Sequence, residues 1–208
     1  MMIKGAILAG GRATRYGGMA KGLEQVRGRR IIDRVRAALE PVVDELLLIA
    51  NDDAAAGWLP GVRTERDVLA DVGSVGGIHA ALAHAASPVL VVAWDMPFVP
   101  TALLRALVLS GASADAAVPE SDSRRGVEPL CAYYSPTCLP AIERHIAAGD
   151  RRVIGFYDDV RVARVPAEEV ARFGDPAVLF MNVNTPEERV LAEAHAAATD
   201  GGRDRQEA

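Results

Sequence analysis

Gly10, Gly11, Gly17 and Gly18, with Arg12, Arg15 and Lys21 among and after them, follow directly on the short apolar run Ala6 to Ala9. Glycine adopts backbone angles closed to other residues and lets main-chain N–H groups come close to a ligand, so a loop of this composition suits phosphate oxygens. Arg15 and Lys21 would supply the countercharge. Glycine-rich turns after strands are common and loop cations are usually solvated, so the spacing has to carry the reading. It is neither of two familiar phosphate loops. The Gly-x-Gly-x-x-Gly of a dinucleotide fold is absent, and a P-loop needs Gly-Lys-Ser/Thr, whereas Lys21 stands between Ala20 and Gly22.

Two further groups have chemistry in them. Asp95-Met96-Pro97-Phe98 follows the apolar run Val89 to Trp94. Asp95 could cap a helix over 100–109, but it lies early for that, with Pro97 between. A carboxylate at a strand end near triphosphate oxygens suits magnesium, which keeps waters and takes one or two protein carboxylates. Asn182 and Asn184 alternate onto one face just before Thr185-Pro186-Glu187-Glu188, a helix start with a Thr cap, Pro first and Glu three residues on. The cap explains Thr185; the asparagines remain free to exchange hydrogen bonds with a heteroaromatic ligand. His79 and His84, five apart, do not make the i, i+4 pair of a metal site.

Elements that would position these groups alternate along the chain. Ile31, Ile32, Val35 and Leu39 recur at helical spacing over 30–39, before Pro41. Leu46 to Ala50 reads as a strand buried on both faces and ends in Asn51-Asp52-Asp53. A short strand over 62–65 leads to Asp67 and a second glycine-rich loop, Gly73-Ser74-Val75-Gly76-Gly77, before a helix over 78–86. Beyond Asp95 come a helix over 100–109, a strand over 115–119, a polar loop with Arg124 and Arg125, a strand over 129–134 and a helix over 136–148. Arg151 and Arg152 open a short helix through Tyr157, 160–165 forms an edge strand, and a last helix runs from 185 to about 198. The order predicts an α/β three-layer sandwich with a mostly parallel, Rossmann-like doubly wound sheet, whose ligands bind at the carboxyl ends of the strands.

The 208 residues show no linker, so one domain over 1–198 is expected, with a polar, disordered tail over 199–208. Half the residues are hydrophobic and only 5% aromatic, so Ala, Val, Leu and Ile must build the core. A net charge of −5 argues against nucleic acid and anionic membranes as partners. Nothing near Met1 resembles a signal peptide, and no apolar run approaches the ~20 residues of a membrane span, so a cytoplasmic protein is expected. Cys131 and Cys138 read as two small buried thiols.

Strand, Leu8-Ala9-Gly10-Gly11, Arg15, Gly18 and Lys21 together resemble the signature loop of nucleotidyltransferases. With Asp95-Met96-Pro97-Phe98, Pro129-Leu130 and Asn182-x-Asn184-Thr185-Pro186-Glu187, the likeness spans residues 3 to about 198 and resembles the molybdenum cofactor guanylyltransferases. That resemblance implies transfer of GMP from GTP to molybdopterin with release of pyrophosphate. It implies that Leu8, Ala9, Gly10 and Gly11 meet the nucleoside, with Asn51 and Asp67 completing its recognition. Arg15, Gly18 and Lys21 would hold the triphosphate, Asp95 would bind Mg2+, and Asn182 and Asn184 would face molybdopterin, with Arg151 or Arg152 beside them. Other molybdenum cofactor biosynthesis proteins and molybdoenzyme chaperones are the implied partners. One motif departs: many members have Gly-Pro-Leu-x-Gly where this chain has Gly73 to Gly77. The competing readings are the cytidylyltransferase for the same acceptor, which typically has Leu-Ala-Ala-Gly in the first loop, a sugar-phosphate nucleotidyltransferase, and a GTP-binding sensor that keeps the fold without catalysis.

Overall fold

Alternating apolar strands and amphipathic helices assemble as the sequence pattern requires, in a computed structural model that describes residues 2–10 and 21–203. In chain order, β1 (Lys4–Leu8) precedes a 3-10 turn (Lys21–Leu23), a small hairpin of β2 (Gln25–Val26) and β3 (Arg29–Arg30), and α1 (Ile31–Leu39). Next come β4 (Glu45–Ile49), β5 (Arg63–Glu65), α2 (Ser74–Ala85), β6 (Val89–Ala93) and α3 (Thr101–Gly111). β7 (Ala116–Pro119), β8 (Cys131–Tyr134), α4 (Leu139–Ala147) and β9 (Val162–Val165) follow, then the short α5 (Ala167–Val170) and α6 (Pro176–Leu179), and α7 (Pro186–Arg203).

Seven strands form one sheet in the order β5-β4-β1-β6-β8-β7-β9. Only β8 runs against its neighbours; the other pairings are parallel. Strand periodicity splits the core into two layers. Ile7, Leu48, Leu90 and Val92 face α1 and α3, whose Ile32, Val35, Leu39, Leu103, Leu104 and Leu107 are buried there. Ala6, Leu8, Leu47, Ile49, Val89 and Val91 face α2 and α4. Burying each Ile, Leu or Val of α1 contributes roughly 1.5–3 kcal/mol, so the helix is held by one stripe of its surface. The expected three-layer, mostly parallel sandwich is what forms.

β1 lies between β4 and β6, with Leu8 level with Ile49 on one side and Ala93 on the other. The chain leaves β1 for β4 and β5, then returns across it to β6. This reversal opens a crevice at the carboxyl ends of β1 and β6, where the loops carrying Gly10 and Asp95 emerge.

Several segments differ from the sequence pattern. α2 begins at Ser74 and takes in Gly76 and Gly77, so the second glycine-rich stretch is mostly helix. Close packing is the reason: a Cβ on Gly76 would collide with Val72, and one on Gly77 would press on Leu8 at 3.3 Å. Arg151 and Arg152 lie before the short 3-10 helix Gly155–Asp159 and do not open it. α7 continues to Arg203, past the expected end near 198, and 204–208 lie outside the described residues. α5 and α6 were not anticipated, although Asp175 accepting from the Ala177 N–H at 2.9 Å, with Pro176 next, is a readable start for α6.

Candidate active site

The rim of the crevice is held by main-chain bonds between strand ends. The Ala9 N–H donates to Ile49 O at 2.9 Å, the Trp94 N–H to Leu8 O at 3.1 Å, and the Ala93 N–H to Leu130 O at 2.8 Å. Leu8 and Ala9 are buried, so they offer a ligand only their backbone, whereas Gly10 is exposed with nothing within 4 Å of where its Cβ would stand. Gly11, Arg15, Gly17 and Gly18 lie outside the described residues.

Lys21 opens the 3-10 turn and is only 9% exposed. A buried ammonium needs partners. Its Nζ donates to Asn184 Oδ1 at 2.8 Å across 163 residues of sequence. Asp95, half-buried at the end of β6, is its electrostatic neighbour. Burial pushes the Asp95 carboxyl above the usual carboxylate range, the charge of Lys21 pulls it down, and the carboxylate of Glu188 pushes it up. The Asp95 carbonyl also accepts from the Val183 N–H at 3.0 Å, which ties the aspartate loop to the asparagine loop. Lys21 and Asp95 therefore share one place.

α7 fixes the far wall. Thr185 Oγ1 accepts from the Glu188 N–H at 3.1 Å, and Glu188 Oε2 accepts from the Thr185 N–H at 3.0 Å, the reciprocal pair expected of this helix start. Glu188 does more than cap, because the same oxygen accepts from the Asn184 N–H at 2.6 Å. The backbone of the residue that holds Lys21 is thus itself held. Arg189 reaches Glu24 at 3.4 Å, joining α7 to the lysine turn. Lys21, Glu24, Val183, Asn184, Thr185, Pro186 and Arg189 line one cleft. Asn182 is half-buried in the same loop.

Asn51 and Asp67 meet at the ends of β4 and β5. Asn51 Nδ2 donates to Asp67 Oδ2 at 2.8 Å, and the Asp67 N–H donates back to Asn51 Oδ1 at 3.0 Å. The pair is a preset hydrogen-bonding edge one strand beyond β1. Arg151 lies elsewhere in role: its Nη1 donates to the carbonyl of Asp71 at 2.9 Å, pinning a residue with φ of 57° before α2. Arg152 pairs with Asp150 at 2.7 Å, and Arg124 is exposed. His79 faces Glu143 and His84 faces the Arg66 carbonyl, so the two histidines serve separate contacts. Cys131 and Cys138 are free and buried, with burial raising the Cys138 thiol to about 12. Neither is a nucleophile at neutral pH.

The structure brings Lys21, Asp95 and Asn184, which the sequence singles out, to one place, and adds Glu24, Arg189 and the second bond of Glu188, which it does not. Only the last had a local signal, as part of a cap. Among the described residues no three His, Cys, Asp or Glu gather as a metal cluster. A single carboxylate such as Asp95 fits the chemistry of magnesium, which keeps water ligands and takes one or two protein carboxylates.

The chain is similar to known proteins over most of its length. The profile of the MobA-like NTP transferase domain matches residues 5–162. A probable molybdenum cofactor guanylyltransferase of Pelotomaculum thermopropionicum is 40% identical over 200 residues, covering 96% of both chains. A molybdenum cofactor guanylyltransferase of Desulfosudis oleivorans is 36% identical over 196 residues, 92% of this chain and 95% of that one. The crystal structure of molybdopterin-guanine dinucleotide biosynthesis protein A from Archaeoglobus fulgidus superposes with a TM-score of 0.78 at 32% identity, covering 94% of this chain and 99% of the other.

Proposed function

The chain belongs to the molybdenum cofactor guanylyltransferase family, and on that premise we propose that it transfers GMP from GTP to molybdopterin, releasing pyrophosphate and forming molybdopterin guanine dinucleotide. The observation that carries the reading is the meeting of Lys21, Asp95 and Asn184 at the carboxyl ends of β1 and β6, where a doubly wound sheet binds nucleotides.

The terminal phosphate of molybdopterin attacks the α-phosphorus of GTP; a new P–O bond forms there as the bond to the β-phosphate oxygen breaks. That nucleophile is already ionised at neutral pH, so no general base is needed, and the work left to the protein is positioning and charge neutralisation. Lys21 supplies a cation to the triphosphate, and Arg15 is assigned the same task. Asn51 and Asp67 offer both a donor and an acceptor to the guanine edge, while Leu8, Ala9 and Gly10 present backbone to the nucleoside. Asn182 and Asn184 receive the pterin side. Asp95 would hold magnesium, whose charge, when bound, offsets that building on the pyrophosphate. The proposed location is the cytoplasm; none of the helices among the described residues is long and apolar enough to cross a membrane.

The test is pyrophosphate release by the purified protein with molybdopterin, Mg2+ and either GTP or CTP. Release with GTP well above that with CTP is expected. Preference for CTP would make it a cytidylyltransferase, and tight GTP binding with no release would make it a sensor.

A further inference from the structure

Gly22 lies against the indole of Trp94. A methyl group built on Gly22 would meet Cε3, Cδ2 and Cζ3 of that ring at 2.4, 2.7 and 3.1 Å, so only a residue without a Cβ lets the turn come down on it. Trp94 cannot readily retreat. It is 5% exposed and stacks with Trp58, ring centroids 5.1 Å apart and planes at 20°. Its own N–H is bound to Leu8 O at 3.1 Å, and the next residue is Asp95. One side chain therefore touches the lysine turn while its backbone is shared by the end of β1 and the aspartate loop.

We infer that Trp94 is a positioning residue for the transfer reaction: its ring is the floor that sets where Lys21 stands relative to Asp95 and to the nucleoside end of β1. The inference rests on the functional reading above. Lys21 makes its bond to Asn184 at 2.8 Å, a contact that a small displacement of the turn would break. A methyl at Gly22 must move from 2.4 Å to ordinary contact, a shift of about 1 Å, and misplacement on that scale costs on the order of 10²-fold in rate. The glycine is needed for this approach and not for its backbone angles, since Gly22 is not among the glycines with positive φ.

The experiment compares Gly22→Ala, Trp94→Leu and the double variant for GTP affinity by calorimetry, for kcat and KM in pyrophosphate release, and for melting temperature. Gly22→Ala should lower kcat by ~10²-fold and weaken GTP binding. Adding Trp94→Leu makes room for the methyl and should restore at least tenfold, although Trp94→Leu alone is slower than the wild type. Two residues that merely filled core would show their loss and its compensation in melting temperature alone, with kcat and GTP affinity of the folded protein unmoved. A double variant no faster than Gly22→Ala, or a Gly22→Ala protein as active as the wild type, overturns the inference. Should Gly22→Ala fail to fold, Trp94→Phe and Trp94→Leu in the native background decide: Phe keeps a ring under the turn and should retain most of kcat, and equal losses in the two overturn the floor. Wild-type protein that neither binds GTP nor releases pyrophosphate would sink the functional reading instead; compensation is then read from acylation of the Lys21 amine, which Gly22→Ala should alter and the double variant return.

Discussion

Replacing Lys21 by methionine removes an ammonium while keeping most of the stem that fills a position only 9% exposed. Asn184 Oδ1 loses its donor at 2.8 Å. A hydrogen bond to a charged group contributes about 1.5–3 kcal/mol, and part of that returns because no charge need be desolvated, leaving a net loss near ~1 kcal/mol. In a chain of this size that lowers Tm by about 2–4 °C, so the fold survives. Turnover falls much further. Losing one preorganised group aimed at developing charge costs about 2.7–4 kcal/mol, or 10²–10³ in kcat. Lys21 also holds the Asp95 carboxyl down against burial. Without that charge the carboxyl titrates higher still, so at any given acid pH a smaller fraction is ionised and able to take magnesium. The acid limb of magnesium-dependent pyrophosphate release should therefore move to higher pH in Lys21→Met. Release followed across the acid and neutral range, alongside thermal melts, measures all three effects. A variant within threefold of wild-type kcat, its acid limb unmoved, would refute the role given to Lys21.

Three further outcomes are expected. The Asp95 carboxyl titrates above its ordinary value because it is buried, so its contribution to stability is present below the usual carboxylate range and is lost as pH rises through the folded value. Asp95→Asn should melt higher than the wild type at neutral pH while losing ~10²-fold or more in turnover, and a melting temperature at or below wild type would contradict this. Asn51→Ala removes both bonds of the pair, whereas Asp67→Ala removes only the one to Oδ2 because the other is donated by the backbone N–H, so Asn51→Ala and the double variant should weaken GTP binding equally and Asp67→Ala by no more; additive losses in calorimetry would show that the pair does not act as a unit. Asp115 accepts from the N–H, Nε and Nη2 of Arg161 and from Thr137 Oγ1, which lowers its carboxyl from 3.8 to about 2. That stabilisation is complete above the ordinary value and disappears as pH falls through the folded one, so the melting gap between wild type and Asp115→Asn should be open at neutral pH and narrow steadily below pH 3.8. A gap independent of pH would remove the ion pair as its cause.

Much of this protein is decided by forces that act within a few residues. Val89 to Ala93 is a strand because five apolar residues in a row can be buried on both faces only in a sheet covered by helices. Ile32, Val35 and Leu39 make a helix because their spacing places one stripe against that sheet, while Ile31 turns to Val26, Val183 and Ala192. Thr185 and Glu188 cap α7 because a hydroxyl and a carboxylate three residues apart reach each other's N–H groups. Those local rules also put Asp95 and Gly10 at strand ends, which is why the crevice was legible before any coordinates. Pairings between distant side chains were not. Lys21 finds Asn184, Asn51 finds Asp67, and Gly22 meets Trp94 only once β1, β4 and β6 lie side by side in register. Hydrophobic periodicity specifies which face of an element is buried, but the partner of a polar group depends on strand order and loop path, and these exist only in the assembled sheet.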